Sequence, residues 1–256
     1  MFWESICLNQ FQEVCRISSL FTLSKLYKKY KSMIKNGYVV LNIKNGNGVV
    51  NPDNNLPQNE KRMKLFFDYW MPSWNILYNT RPTQEQLEEF YKSDCYIYTG
   101  HGHGLHLLSG KKVAELQINA VVFLFGCDSV RLTSTGHHAE MSGSHLYYHN
   151  ALCPAVIGSL VIGLDYSMDL ISCNIVSSWI PSKQKLHWSQ VDYRSWKMGN
   201  IQEDPIMGIS ACPDFERRLA TIVAKARKPY DNEKNYNTVG IVYRGLPVYN
   251  SSRAKM

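Results

Sequence analysis

The sequence lacks the patterns that direct a chain to a membrane or to an oxidising compartment. Seven cysteines among 256 residues show no paired spacing, which argues against a disulfide scaffold. The first residues carry no basic-then-apolar signal pattern, and no apolar run approaches the ~18 residues needed to cross a bilayer. We therefore expect a protein of the cytoplasm and nucleus that has no membrane partner.

A large excess of one charge is also missing. Lysine and arginine total 28 against 21 acidic residues, a net charge of +7, and five of the lysines lie within residues 25–35. Such a cluster is more typical of a solvated helix face than of a nucleic-acid surface, so no direct nucleic-acid binding is expected. The length and the hydrophobic content of 45% permit a large buried core.

Alternating strand and helix patterns predict an α/β fold with a mostly parallel sheet flanked by helices on both faces. The predicted divisions are a helical segment over residues 1–36, one domain over 37–250 and a disordered tail over 251–256. Residues 38–43 predict a first strand. Residues 45–58, rich in Asn, Gly and Pro, predict a loop. Thr83 and Gln86 have capping-box spacing, which predicts a helix that starts at residue 84.

Two apolar runs each end in a glycine followed by a reactive side chain. They are YIYTGHGHG at residues 96–104 and VVFLFGCDS at residues 121–129. Runs of this kind predict buried strands, and the short segment between them predicts a crossover helix. Neighbouring strands lie about 4.8 Å apart, so His101 and Cys127 are expected to meet at the carboxyl edge of the sheet. Open α/β folds build their sites at that edge.

This pair predicts a cysteine nucleophile with a histidine partner. The thiolate is the reactive form of cysteine, so Cys127 needs a base beside it, and His101 can also protonate a leaving amine. The backbone N–H groups of Gly102 and Cys127 are candidates for an oxyanion hole. This mechanism requires no metal or organic cofactor.

A zinc site is the less favoured alternative. The sequence HGHGLH at residues 101–106 resembles the start of a metallo-β-lactamase-like site, with His103 and His106 as further candidate ligands. Leu105 stands where that family places an aspartate. His137 and His138 are further along the chain, but no additional acidic ligand is suitably spaced.

The order of several motifs resembles the separases, a branch of the caspase-like peptidases. Residues 50–56 (VNPDNNL) resemble an upstream separase stretch, and Trp74, Pro82 and Thr83 precede the strand that enters G-H-G-x-G. The G-C-S-S motif is nearly matched at residues 126–129. Residues 136–143, CPAVIGSL at 153–160 and YRGLPVY at 243–249 complete the match, which covers roughly residues 38–249.

The resemblance implies a caspase-like three-layer sandwich and a thiol endopeptidase. It also implies cleavage of the cohesin kleisin subunit after arginine at anaphase, inhibition by a securin-type partner, and action at the spindle or chromosomes. The long helical amino-terminal part of most separases is missing from this sequence. The chain is then a fragment, a divergent short form, or the partner of a separate helical-repeat subunit.

The sequence departs from the separase pattern near the predicted substrate site. Its VIGLDYSMD at residues 161–169 retains Asp165 and Asp169 but not the family's tryptophan. The resemblance implies that these carboxylates, with Glu140 and Asp128, bind substrate, because a guanidinium pairs with carboxylates through parallel hydrogen bonds. Asp128 replaces a serine beside the nucleophile, and its charge would disfavour the thiolate. A degenerate binding module (a pseudoprotease) is therefore the main alternative.

Overall fold

A computed structural model of the chain describes residues 12–134, 136, 141–204, 216–227 and 240–252. Eight α-helices lie in this part of the chain: α1 Leu20–Tyr30, α2 Pro57–Trp70, α3 Gln84–Phe90, α4 Gly110–Glu115, α5 Ser144–Asn150, α6 Asp165–Trp179, α7 Tyr193–Lys197 and α8 Leu219–Ala226. The strands there are β1 Ile34–Lys35, β2 Tyr38–Leu41, β3 Gly46–Val50, β4 Asn75–Tyr78, β5 Cys95–Thr99, β6 Val121–Phe125, β7 Ala155–Ser159, β8 Ile241–Gly245 and β9 Val248–Asn250.

The main sheet has six strands in the order β4-β3-β5-β6-β7-β8. The first five strands are parallel to one another, and β8 pairs antiparallel with β7 at one edge. Strands β5 and β6 are buried along their whole length, as expected of strands covered on both faces. The predicted mostly parallel sheet is confirmed.

Helices cover the sheet on both sides. Ile97 and Phe123 face one apolar cluster, which also contains residues of α2, α6 and α8. Tyr98 and Leu124, one position further along each strand, face a second cluster with residues of α3, α4 and α5. Because successive strand side chains point to opposite faces, the sheet lies between two helical layers. The three-layer sandwich is therefore confirmed.

A second, three-stranded sheet joins distant parts of the chain in the order β1-β2-β9. The strand predicted at residues 38–43 exists as β2, but it pairs in parallel with β9 and not with the main sheet. Near the end of the chain, β8 joins the main sheet, and its described residues begin at Ile241.

The capping box predicted at the start of α3 is also present. Thr83 Oγ1 accepts from the Gln86 N–H at 3.2 Å, and Gln86 Oε1 accepts from the Thr83 N–H at 2.8 Å. These two bonds satisfy backbone donors that an isolated helix would leave open.

The loop predicted over residues 45–58 is wrong, because this segment contains the buried strand β3 and the start of α2. The glycines in β3 serve close packing and not a turn. At Gly48 a Cβ atom would lie 2.8 Å from Ile76 Cδ1 and 3.1 Å from the Ile97 carbonyl oxygen, and at Gly46 it would overlap the Trp74 ring. Only glycine lets the neighbouring strand and the indole approach this closely.

The helical segment predicted over residues 1–36 is helical, within its described residues, from Leu20 to Met33. Helix α1 begins at Leu20, where the Ser19 side chain caps it, and residues 12–19 are not helical. Arg16 instead forms an isolated parallel β-bridge, through backbone hydrogen bonds, with Arg244 of β8. The predicted domain divisions stay a prediction. Residues 253–256 of the predicted tail lie outside the described residues. Ser251, the first residue of that tail, donates its N–H to the Leu41 carbonyl oxygen at 2.7 Å. None of the described helices has the length and apolar character of a membrane span.

Candidate active site

The two motif strands are neighbours, as the sequence predicts. Strands β5 and β6 pair in parallel, with Thr99 opposite Phe125 at their carboxyl ends. His101 and Cys127 each follow two residues later. Both residues therefore lie beyond the same edge of the sheet, at equivalent positions after two paired strands.

The loops that carry them are in direct backbone contact. A Cβ atom at Gly126 would overlap the carbonyl oxygen of Gly102 and lie 2.7 Å from that of Gly100. No larger residue fits between the two loops. The glycine before the cysteine thus holds the thiol-bearing loop against the histidine-bearing turn.

A tyrosine side chain on β5 holds the turn at residues 101–104 through a hydrogen bond. Tyr98 Oη donates to the His101 carbonyl oxygen at 2.6 Å. Gly102 and Gly104 have φ of +62° and +74°, a conformation that glycine adopts without strain. Among the described residues no atom lies within 4 Å of a Cβ placed at Gly102, and the His101 side chain is exposed.

Cys127 is half-buried, and its thiol donates to the Gly163 carbonyl oxygen with 3.6 Å between sulfur and oxygen. The following residues are anchored in the core. Ser129 Oγ donates to the Leu124 carbonyl oxygen at 2.5 Å and accepts from the Ser159 N–H at 2.9 Å. The position of the thiol is thus set by bonds to β6 and β7 and not by solvent contacts.

Asp128 adopts a left-handed conformation with φ of +53°. Its N–H donates to the Val161 carbonyl oxygen at 3.1 Å, and its Oδ2 accepts from Arg131 at 3.3 Å. The Arg131 guanidinium offsets part of the negative charge that the sequence places beside Cys127. The substrate-binding role of Asp128 stays a prediction.

Asp165 and Asp169 lie together, but around an arginine of the same chain. Arg62 Nε donates to Asp169 Oδ2 at 2.7 Å, and Arg62 Nη2 donates to Asp165 Oδ2 at 2.7 Å. Asn59 Nδ2 donates to the other oxygen of Asp169, and Thr99 Oγ1 to Asn59 Oδ1 at 3.4 Å. The expectation that both carboxylates are open to a substrate arginine needs correction: Asp169 has both oxygens bonded internally, whereas the Asp165 side chain is 42% exposed.

Burial dominates the electrostatics of this cluster. It raises the pKa of Asp169 to about 7, because a charged carboxylate loses its hydration there and the attraction of Arg62 offsets only part of that cost. Burial also disfavours the charged guanidinium, but the two carboxylates outweigh it and raise the pKa of Arg62. The cluster is a buried structural network with one exposed carboxylate.

Arg62 is not among the predicted site residues, although the sequence contains a signal for it. On α2 the buried positions include Asn59, Arg62, Met63 and Phe66, a spacing that defines one helix face. Arginine is almost never fully buried unless it is paired. An arginine within an apolar stripe therefore predicts an internal carboxylate partner.

The remaining candidates are engaged elsewhere or lie outside the described residues. His103 Nδ1 accepts from the Leu105 N–H at 3.1 Å, and His106 Nε2 lies 3.3 Å from Asp53 Oδ2. Burial, with the nearby His106, lowers the pKa of His103. The described residues contain no group of three or more His, Cys, Asp or Glu arranged to hold a metal. The candidates outside the described residues are Glu140, His137 and His138.

Comparisons with known proteins agree with the motif order. The model of the separin protease domain matches residues 1–160. The chain is 32% identical over 183 residues to separin of Mus musculus, and 28% identical over 178 residues to separin of Emericella nidulans. These matches cover 70% and 69% of this chain but 8% of each relative. The chain therefore spans less than a tenth of the length of these curated relatives.

A solved structure supports the fold assignment. The chain superposes on separase in the Saccharomyces cerevisiae separase–securin complex with a TM-score of 0.73 at 22% identity. The superposition covers 97% of this chain and 15% of that one. At this identity the likeness establishes the shared architecture of the domain.

Proposed function

Because the chain belongs to the separin protease-domain family, we propose that it is a cysteine endopeptidase with Cys127 as nucleophile and His101 as proton shuttle. The observation that supports this most directly is the backbone contact of Gly126 with Gly102. It brings the loops of the thiol and the imidazole together at the carboxyl edge of the parallel sheet. Open α/β folds bind their ligands at that edge.

In the proposed reaction, His101 accepts the proton of the Cys127 thiol and the sulfur attacks the peptide carbonyl carbon. The oxyanion that forms is stabilised by the N–H groups of Gly102 and Cys127. The C–N bond then breaks, His101 gives its proton to the leaving amine, and a thioester remains. Water, deprotonated by His101, hydrolyses this thioester and regenerates the thiol.

For the thiol to react, it must release the Gly163 carbonyl oxygen, to which it now donates. Entry of a substrate beside Cys127 is the event that we expect to break this contact.

The proposed substrate is the kleisin subunit of cohesin, cut after arginine at anaphase, and the proposed location is the cytoplasm and nucleus. The exposed carboxylate of Asp165 is the proposed acceptor for the substrate arginine, because Asp169 is already saturated by Arg62 and Asn59. The structural relative is a separase–securin complex, which supports a securin-type inhibitor as partner. A helical-repeat subunit or segment is a further proposed partner, since the relatives are much longer.

The test is incubation of the chain with a kleisin fragment, beside a Cys127→Ser control. We expect the unaltered chain to cut the fragment after an arginine and the Cys127→Ser variant to leave it intact. Asp165→Asn is expected to slow cleavage at arginine. Unchanged cleavage by this variant would refute the arginine site, and cleavage by Cys127→Ser would refute the mechanism.

A pseudoprotease is the second candidate, favoured by the thiol–carbonyl contact of Cys127 and by the acidic Asp128 beside it. Labelling with an acyloxymethyl ketone that carries arginine separates the two. A competent thiolate at Cys127 is alkylated, whereas a degenerate site stays unmodified while the chain still binds its partner.

A further inference from the structure

Two large apolar side chains are exposed next to the proposed nucleophile. They belong to residues 161–164, here called the strap, which form most of the connection between β7 and α6. Ile162 is 73% exposed and Leu164 is 72% exposed. Between them, the Gly163 carbonyl oxygen lies 3.6 Å from Cys127 Sγ. The apolar pair therefore flanks the atom that touches the thiol.

The strap is anchored at both ends. At its start, the Val161 carbonyl oxygen accepts from the Asp128 N–H at 3.1 Å and from Ser159 Oγ at 2.9 Å. At its end, Asp165 is bound by Arg62 at 2.7 Å. The exposed pair is thus held between two fixed points, one of them on the nucleophile loop itself.

Leu164 has φ of −70° and ψ of 139°, a conformation of polyproline-II type. The exposed side chains of Ile162 and Leu164 stand on either side of Gly163 along the chain. Gly163 contributes no side chain, so the Cys127 thiol reaches its carbonyl oxygen.

Single exposed hydrophobic residues are common and need no explanation. The strap differs because two of them flank one glycine whose carbonyl oxygen contacts the reacting sulfur, in a segment anchored at both ends. In a site that cuts extended peptides, the substrate side chains beside the cut bond lie next to residues that neighbour the nucleophile. An apolar subsite at this rim would gain binding energy by removing both side chains from water.

We propose that Ile162 and Leu164 form a specificity subsite for a bulky apolar side chain of the substrate, at a position adjacent to the arginine before the cut bond. This inference rests on the proposed endopeptidase function. The strap selects the neighbour of the arginine, and the exposed Asp165 carboxylate that follows it receives the guanidinium. The preferred substrate is a peptide with leucine or isoleucine beside arginine.

The experiment compares fluorogenic peptides that contain one arginine and carry leucine or serine at either flanking position. We expect about tenfold higher kcat/KM for a leucine peptide, mainly through KM, which is the size of effect that an apolar pocket provides. In the double variant Ile162→Ser with Leu164→Ser, the leucine-to-serine ratio is expected to fall to about one.

Leu20→Ser is the matched control, because Leu20 is 83% exposed on α1 and far along the chain from the strap. This variant is expected to keep the leucine preference. All three replacements remove exposed side chains, so the thermal unfolding midpoints of the variants should agree with that of the unaltered chain. A leucine preference that survives the double variant overturns the subsite and leaves the endopeptidase proposal standing.

A binding measurement separates failure of the subsite from failure of catalysis. On the Cys127→Ser chain, fluorescence anisotropy of the labelled leucine and serine peptides reports affinity without turnover. Tighter binding of the leucine peptide that is lost in the double strap variant supports the subsite even if no peptide is cleaved. Equal binding of both peptides refutes it.

Discussion

The α-carbon of Gly126 packs against the carbonyl oxygen of Gly102, so that the residue before the proposed nucleophile touches the residue after the proposed base. This contact leaves no space for a side chain at position 126. The distance between the thiol and imidazole loops is therefore set by backbone atoms, which cannot move away as a flexible side chain can.

Gly126→Ala is expected to destabilise the chain by about 1–3 kcal/mol, the usual cost of overpacking, and to abolish labelling of Cys127. Its new methyl group meets backbone oxygens of Gly100 and Gly102. Urea unfolding and alkylation measure both effects. Gly37→Ala is the control, because Gly37 has φ of +83° and no atom of the described residues lies within 4 Å of a Cβ there; it bears only the conformational cost of about 1–2 kcal/mol and should leave labelling intact.

Removal of the buried guanidinium should be costly. Arg62→Met leaves Asp169 buried beside Asp165 without its cation, so we expect a loss of about 3–5 kcal/mol in the free energy of unfolding. A second change, Asp169→Leu, should restore much of it because it removes the stranded carboxylate. Double-mutant analysis by urea unfolding measures the coupling. Additive effects of the two changes would show that the pair does not interact.

Two buried histidines on α5 predict acid sensitivity. Burial, followed by the nearby Arg244 charge, lowers the pKa of His145 to about 2, and burial lowers that of His149 to about 4. Both stay neutral in the folded chain at pH 5, whereas the unfolded chain binds protons there. Their contribution to stability is complete above pH 6.5 and falls as the pH drops towards 4, by about 1.4 kcal/mol per pH unit for each histidine.

Unfolding at pH 7 and pH 5 tests this expectation when the chain is compared with the variant His145→Gln plus His149→Gln. The difference between them isolates the histidines, because Asp169, whose raised pKa gives a pH slope of the opposite sign, is present in both. Identical slopes in the two proteins would contradict the prediction. Nuclear magnetic resonance titration of the two rings provides an independent measurement.

The thiol of Cys127 should react faster with an alkylating reagent than the buried thiols of the chain. Burial raises the pKa of Cys153 to about 12 and those of Cys95 and Cys173 well above the usual range, and all three are fully buried. Half-buried Cys127 lies at the open edge of the sheet. Brief iodoacetamide treatment followed by peptide mass spectrometry should modify Cys127 before these three. Equal modification of Cys153 and Cys127 in the folded chain would refute this order.

The sequence predicted the edge of the sheet that bears the site, because strands β5 and β6 are apolar runs that end in glycine. It did not predict β3, since its Gly46 and Gly48 resemble turn residues. Their reason for being glycine is the Trp74 ring and the Ile97 carbonyl oxygen, which come close only after the chain has folded. Local composition does not contain such contacts.

The charged cluster was predicted only in part for a similar reason. Asp165 and Asp169 are visible in sequence as an acidic pair, but their partner Arg62 is more than one hundred positions away. Pairing across that separation depends on how α2 packs against α6. The apolar strap was likewise missed, because exposure of Ile162 and Leu164 depends on the elements around them.

The parallel pairing of β2 with β9 has a consequence for biosynthesis. Val39 pairs with Val248, a residue made roughly 200 positions later, and Leu41 also receives the Ser251 N–H. At a translation rate of about 10 residues per second, roughly 20 s pass between synthesis of β2 and synthesis of its partner strand β9. Until then β2 presents open hydrogen-bonding groups to other nascent chains, and a chaperone that shields this edge should raise the yield of folded protein.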